Sequence, residues 1–219
     1  MDLDATRTKH GHQNIIRAFE KREYDILVGT QMVTKGLDFE NVTLAAVVQA
    51  DRLLHYPDFR AHEYAYQLLT QFAGRAGRKA KSGRVFIQTY NPDHVVFRLL
   101  GRPYIEFYDN EIAVRNAPRY PPFSRLIRIE LRHKDSTFLE IEGKTFGRIL
   151  SKSFKGNMLG PEYPPIAKLK NFYRLHVLLK IERGIRPESV RRTLKDAMRE
   201  YFDGAQNKTL QIVVDVDPR

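Results

Sequence analysis

Three prolines within five residues, Pro118, Pro121 and Pro122, separate two stretches whose apolar residues repeat with different periods. Proline lacks an amide donor and fixes φ, so such a cluster interrupts helices and sheet ladders alike. A chain of 219 residues is long enough for a separate core on each side of that break.

Before the break, strand and helix signals alternate. Asn14 to Arg22 carries Ile15, Ile16 and Phe19 at helical spacing. Asp25 to Val28, closed by Gly29, reads as a short buried strand, and Val42 to Val48 as a second. Glu63 to Phe72 is helical, with Leu68, Leu69 and Phe72 on one side. Arg84 to Tyr90, after the Lys81-Ser82-Gly83 turn, is a third strand. Strands separated by helices predict an α/β domain built on a parallel sheet. A short helix around Tyr104 to Val114 leads to the prolines.

After the break, Leu126 to Arg132 alternates apolar and polar residues, as a half-buried strand does. Thr137 to Leu150 is helical, Met158 to Pro161 a short strand, and Phe172 to Ile181 a longer one. Pro187 to Phe202 is an amphipathic helix with proline suited to its first turn. Leu210 to Val216 closes the series. The order β-α-β-β-α-β predicts an α+β, ferredoxin-like domain. The expected organisation is a parallel-sheet domain over 1–100, a helical linker over 101–119, and the ferredoxin-like domain over 120–219.

Charge follows the same division. Residues 1–118 hold 16 Lys and Arg against 14 Asp and Glu, whereas residues 119–219 hold 21 against 12. The basic excess of the second stretch predicts a polyanion partner, nucleic acid first among them. The chain has no cysteine, which removes disulfides and thiolate metal sites. His10-Gly11-His12 is the one close histidine pair, without a carboxylate set beside it, and no metal site is expected. No apolar run approaches bilayer length, and Met1-Asp2-Leu3-Asp4 has neither the basic flank nor the apolar stretch of a signal peptide. A soluble, cytoplasmic monomer without membrane contact is the expectation.

Two motifs carry chemistry. In Gln71-Phe72-Ala73-Gly74-Arg75-Ala76-Gly77-Arg78, two arginines stand three residues apart among glycines. Glycine lets backbone approach a ligand closely, and guanidinium forks onto phosphate oxygens. A nucleotide held between two lobes needs such a cation where charge develops during transfer. The other motif, Gly29-Thr30-Gln31-Met32-Val33-Thr34-Lys35-Gly36-Leu37-Asp38, begins at a strand end, where open α/β sheets place ligands. Its hydroxyl and free amides suit a DNA phosphate, and Asp38 stands ready to couple that turn to a nucleotide site.

In this order the two motifs resemble motifs V and VI of superfamily 2 helicases. Further segments resemble the primosomal replication-restart helicases in particular. They are Asp51, Pro57-Asp58-Phe59-Arg60-Ala61, Gln67 to Gln71, Gln88-Thr89-Tyr90-Asn91-Pro92, Leu159-Gly160-Pro161, Tyr173-Arg174 and Asp215-Val216-Asp217-Pro218. The resemblance implies a RecA-like helicase lobe 2, N-terminally incomplete, followed by a DNA-binding domain. It implies Arg78 as arginine finger, Arg75 as its phosphate-contacting companion, and Gln71 and Gly74 beside the nucleotide with Gly36 and Asp38. Thr30, Gln31 and Lys35 would face DNA. Asp58 and Arg60 are expected to pack or pair within the lobe. Leu37 and Tyr64 depart from the family pattern, where histidine and arginine respectively are common.

The same resemblance implies ATP and Mg²⁺ in the full-length enzyme, zinc in an upstream segment, and none of these held by this chain alone. No Gly-x-x-x-x-Gly-Lys-Ser/Thr loop occurs in the sequence, so the chain is expected not to hydrolyse ATP by itself. Implied partners are branched and single-stranded DNA, other primosome proteins and single-stranded-DNA-binding protein. In the second domain, Arg119-Tyr120-Pro121-Pro122-Phe123 with Arg125, and Lys168-Leu169-Lys170-Asn171-Phe172-Tyr173-Arg174, mix cations with rings that could stack on bases. Lys168, Lys170, Tyr173 and Arg174 are the expected DNA contacts there. The alternatives are a lobe of another superfamily 2 translocase, or a non-catalytic nucleic-acid-binding adaptor.

Overall fold

A computed structural model describes residues 11–30, 42–74, 83–205 and 209–218. The backbone divides into two compact units, Met1–Glu111 and Ile112–Arg219.

In the first unit, α1 (Gly11–Glu20) precedes β1 (Leu44–Val47), α2 (Asp51–Leu54), α3 (Ala61–Ala73), β2 (Arg84–Ile87) and α4 (Val95–Arg98). Helix α5 (Tyr104–Asn116) runs across the division between the units. β1 and β2 pair in parallel, Leu44 opposite Arg84 and Val47 opposite Ile87. The pairing continues past both strands, since the Gln88 amide donates to Val47 O at 2.9 Å and the Ala50 amide to Gln88 O at 3.0 Å. α3 lies in the crossover connection that a parallel pair requires. Its buried face, Ala65, Tyr66 and Leu69, packs with Val96 and Phe107. Tyr66 stacks on Phe107 at 4.0 Å between ring centroids and 11° between planes.

The strand expected over Asp25 to Val28 is irregular backbone, with Ile26 and Val28 79% and 75% exposed. An apolar run becomes a strand only where a neighbour takes its amides and carbonyls. Apolar content alone does not make this described segment a regular strand.

The second unit contains β3 (Ser124–His133), α6 (Ser136–Ser153), β4 (Met158–Glu162), β5 (Lys168–Leu169), β6 (Phe172–Glu182), α7 (Pro187–Gly204) and β7 (Gln211–Val216). The strand order β4-β6-β3-β7, all antiparallel, is the ferredoxin-like arrangement. Alternate residues Ile127, Ile129 and Leu131 of β3 and Leu175, Val177, Leu179 and Ile181 of β6 share one core with Leu139, Phe146 and Leu150 of α6. Val190, Leu194, Ala197 and Tyr201 of α7 complete it. The Asp135 carboxylate caps α6 by accepting from the Phe138 amide at 3.0 Å.

At Gly160 both backbone conformation and space call for glycine. Gly160 has φ +88°, and a Cβ there would stand 2.4 Å from His176 O. No helix among the described residues is long and apolar enough to cross a membrane.

Candidate functional site

At the carboxyl end of the parallel pair, the chain leaves β1 and reaches Asp51, the first residue of α2. The Asp51 carboxylate accepts from Thr89 Oγ1 at 2.7 Å and from the Tyr90 amide at 3.2 Å. The Thr89 hydroxyl, opposed by desolvation and aided by the Tyr90 amide, holds this carboxyl below its ordinary pKa. Asp51 therefore ties the end of β1 to the end of β2, at the edge where open α/β sheets take ligands.

Asp58 and Arg60 form the entrance to α3. Arg60 Nε donates to Asp58 Oδ1 at 2.8 Å and Nη2 to Oδ2 at 2.9 Å, a two-pronged pair with both side chains 19% exposed. The guanidinium also lies over the Phe59 ring at 4.8 Å and the Tyr64 ring at 5.7 Å. Nearby, His62 of α3 contacts the buried Glu111 carboxylate at 3.3 Å and meets His94 edge-on at 4.8 Å. Burial, with His62 and His55 close by, keeps the His94 pKa below the ordinary imidazole value.

α3 ends at Gly74, whose amide donates to Thr70 O at 3.0 Å and whose φ of −67° is one any residue adopts. A Cβ at Gly74 would meet Thr70 O at 3.4 Å, an ordinary contact, so neither backbone conformation nor the described neighbours demand glycine there. Gln71 is exposed at the same end of the helix, and Thr30 is exposed in irregular backbone after Gly29. Gln31, Lys35, Gly36, Asp38, Arg75 and Arg78 lie outside the described residues.

In the second unit, β5 and β6 form a tight hairpin, Leu169 opposite Phe172 and Lys168 opposite Tyr173. The two loop residues between them, Lys170 and Asn171, both have positive φ, 46° and 65°, as a type I′ turn requires. Lys168 and Lys170 are exposed. The Lys168 ammonium sits 4.6 Å from the Tyr173 ring centroid, so cation and ring share one side of the hairpin.

Arg174 departs from the sequence expectation. Its side chain is 15% exposed, its Nη1 pairs with Glu130 Oε2 at 3.3 Å, and its Nη2 donates to Ile166 O at 2.5 Å. A guanidinium so engaged holds β6 to the adjoining segment and to β3, and is not offered to a DNA phosphate. The earlier basic-aromatic stretch is similarly committed within the unit. Arg125 Nη2 meets Asp217 Oδ2 at 2.7 Å, and Lys180 Nζ lies 4.0 Å over the Tyr120 ring while donating to Pro118 O at 2.7 Å. Phe123 and Phe172 are both half-buried.

The sequence reading missed the role of Asp51 and the Glu130 cluster, in which Arg132, Arg174 and His176 all meet one carboxylate. A carboxylate four residues past the end of a parallel strand was the available signal for the first. For the second it was a lone Glu130 on the polar side of an alternating strand.

Comparison with known proteins follows the same two units. Residues 1–80 match the helicase conserved C-terminal domain, and residues 116–219 match the primosomal protein N C-terminal domain. The whole chain is 38% identical to the replication restart protein PriA of Bacillus subtilis and 36% identical to that of Haemophilus influenzae. The chain belongs to the PriA family. It spans 27% and 30% of the length of those two PriA proteins. PriA of Synechocystis matches 82% of the chain at 40% identity, over 22% of its own length. The first unit is thus a helicase lobe with a parallel sheet, and the second the PriA C-terminal domain with an antiparallel one.

Proposed function

We propose that this chain supplies the second motor lobe and the C-terminal DNA-binding domain of an ATP-dependent 3′ to 5′ DNA helicase that restarts replication at stalled forks. The observation that carries the reading is the succession, on one chain, of a helicase C-terminal lobe and a primosomal C-terminal domain. In this reading ATP with Mg²⁺ binds between the lobe and a partner lobe that holds the β- and γ-phosphates. Arg78 supplies positive charge where the transferring phosphoryl group develops negative charge. Arg75 contacts a phosphate, and Gln71 with Gly74 flanks the nucleotide. Gly36 and Asp38 relay the state of that site to Thr30, Gln31 and Lys35 on the DNA. Hydrolysis then moves the lobes stepwise along one strand.

The exposed Lys168 and Lys170, with the half-buried Tyr173 beside them, support a DNA contact at the β5–β6 hairpin, cations on phosphate and the ring's open side on base. Branched and single-stranded DNA are the substrates of this reading. Primosome proteins and single-stranded-DNA-binding protein are its partners, zinc belongs to a segment upstream of this chain, and the cytoplasm is its place.

The test is ATP turnover by the intact helicase with Arg78→Ala. A loss of about 10³-fold in kcat with unchanged DNA affinity is the expected result, the scale of an arginine finger. Turnover at the parental rate defeats the reading. DNA-stimulated ATP hydrolysis by this chain alone defeats it as well.

A further inference from the structure

The β5–β6 hairpin has a second side that the proposed DNA contact leaves unused. Successive residues of a strand point to opposite faces, so Phe172 and Tyr173 lie on opposite sides of the hairpin. Lys168, opposite Tyr173 in the ladder, shares the tyrosine side, and its ammonium donates to Tyr173 Oη at 3.4 Å. Leu169, opposite Phe172, shares the phenylalanine side and is 48% exposed. A third cation completes that second side. Lys134, in the turn between β3 and α6, is exposed, and its Nζ stands 6.0 Å from the Phe172 ring centroid. Each side of the hairpin thus carries one ring with one ammonium against it.

The hairpin is also held in place. β3 ends at His133, opposite Tyr173, so Phe172 and the turn extend past the end of β3. A two-stranded hairpin by itself is marginal in water. Here the Arg174 amide donates to Ala167 O at 2.9 Å, and the Arg174 guanidinium joins Ile166 O to Glu130 of β3. That guanidinium anchors the base of the hairpin, and the type I′ turn closes its tip. The three lysines remain available. Among the described residues no carboxylate pairs with Lys134, Lys168 or Lys170, and the carboxylate of neighbouring Asp135 is turned to the Phe138 amide.

Two cation-bearing sides of one ribbon do not both lie along a single straight strand. DNA offers two backbones that part around an obstacle where a duplex opens. Leu169 beside the turn is the kind of apolar side chain that proteins insert between base steps, unstacking them. The two lysine–ring pairs match the two parted strands, cations on phosphate and the open sides of the rings on splayed bases.

We propose that the β5–β6 hairpin sits where duplex DNA opens, with one strand along Lys168 and Tyr173 and the other along Lys134 and Phe172. Leu169 stands against the last base pair. The proposal rests on the DNA reading of the hairpin above and adds Lys134, Leu169 and Phe172 to it.

Titration of the chain at about 0.1 M salt with a fork, a blunt duplex of the same length and a single strand tests this. Lys134→Gln is expected to weaken fork binding about 5-fold and to lower its salt slope by about one, with the other two DNAs changed by less than about twofold. Lys168→Gln is expected to weaken fork and single strand alike. With 2-aminopurine in the base pair at the junction, the fluorescence rise on binding should fall by about half in Leu169→Ser, at an unchanged melting temperature. Equal losses for Lys134→Gln on fork and single strand mean that one strand wraps the tip. Equal losses on fork and blunt duplex mean that closed duplex lies along that side. Either result overturns the proposal, as does parental fork binding by Lys134→Gln or a parental fluorescence rise in Leu169→Ser. Parental binding of every DNA by Lys168→Gln with Lys170→Gln is a separate outcome. It removes the hairpin from the DNA altogether and takes this proposal with it.

Discussion

Glu130 on β3 and His176 on β6 stand opposite each other in the antiparallel ladder, and His176 Nε2 lies 2.7 Å from Glu130 Oε2. Burial pushes the Glu130 carboxyl up, but hydrogen bonds from His176 and Arg132 outweigh it, so its pKa falls below the ordinary carboxylate value. Burial lowers the His176 pKa more than Glu130 raises it. Both directions fit one state, a neutral imidazole donating Nε2–H to a charged carboxylate. For each group the folded pKa is the lower one, so each contributes stability that is present above its unfolded value and lost as pH falls. For His176 that loss begins near its ordinary value of 6.5, and for Glu130 near 4.5. Denaturation of the chain monitored from pH 8 to about pH 3 should therefore show the second unit weakening in two stages. His176→Leu should remove the upper stage and cost about 1–3 kcal/mol at pH 8, from the donor lost to a buried carboxylate. A stability profile flat between pH 7 and pH 5.5 would contradict this account.

The inward turn of Arg174 separates it from its neighbours in a measurable way. Lys168→Glu with Lys170→Glu should weaken binding to branched and single-stranded DNA by about 10-fold near 0.1 M salt and flatten the salt dependence, with the melting temperature unchanged. Arg174→Ala should do the reverse, lowering stability by about 1–3 kcal/mol while leaving the salt dependence alone. Paired titration and melting experiments on the three variants decide it, and equal binding losses without destabilisation would return Arg174 to the DNA surface.

Gly160→Ala should destabilise the second unit by about 2 kcal/mol or more, because a Cβ at positive φ is strained and this one would press on backbone oxygen. Gly156 also has positive φ but has nothing within 4 Å of its added Cβ, so Gly156→Ala is the matched control. The difference between the two in chemical denaturation isolates the contact with His176 O.

Phe107→Ala should cost the first unit about 3–5 kcal/mol, as the loss of a fully buried ring and its stacking partner. Hydrogen exchange is the measurement that places the damage. Amides of α3 should exchange faster while those of β3 and β6 remain protected, since Tyr66 and Phe107 belong to a core separate from that of the sheet in the second unit.

The ferredoxin-like unit was legible almost residue for residue because its signals are local and mutually consistent. The alternation in β3 and β6 and the amphipathic stripes of α6 and α7 all bury the same side, and that side closes on itself. The first unit was less legible. Ile26, Leu27 and Val28 carry the composition of a strand, but composition does not fix backbone geometry, and the described backbone there is irregular. α2, α4 and β5 were missed because two to four residues are too few to establish a period. At the candidate site, cations beside aromatic rings look alike in sequence whether they face solvent or a carboxylate. Alternation along β6 held the answer for Arg174, which shares its side of the strand with His176. The pairing of Asp58 with Arg60 was anticipated as a contact inside the lobe, whereas its place at the head of α3 depends on where the helix starts.

The type I′ turn at Lys170 and Asn171 makes the side on which Tyr173 presents its ring a matter of counting. One residue added between those two would lengthen the loop without changing the charge or the composition of either arm. If the added residue is absorbed into the lysine arm, Lys168 and Tyr173 no longer stand across from each other, and the ammonium leaves the ring's side. The protein would then carry the same cations in the wrong places, which separates the contribution of arrangement from that of electrostatic attraction.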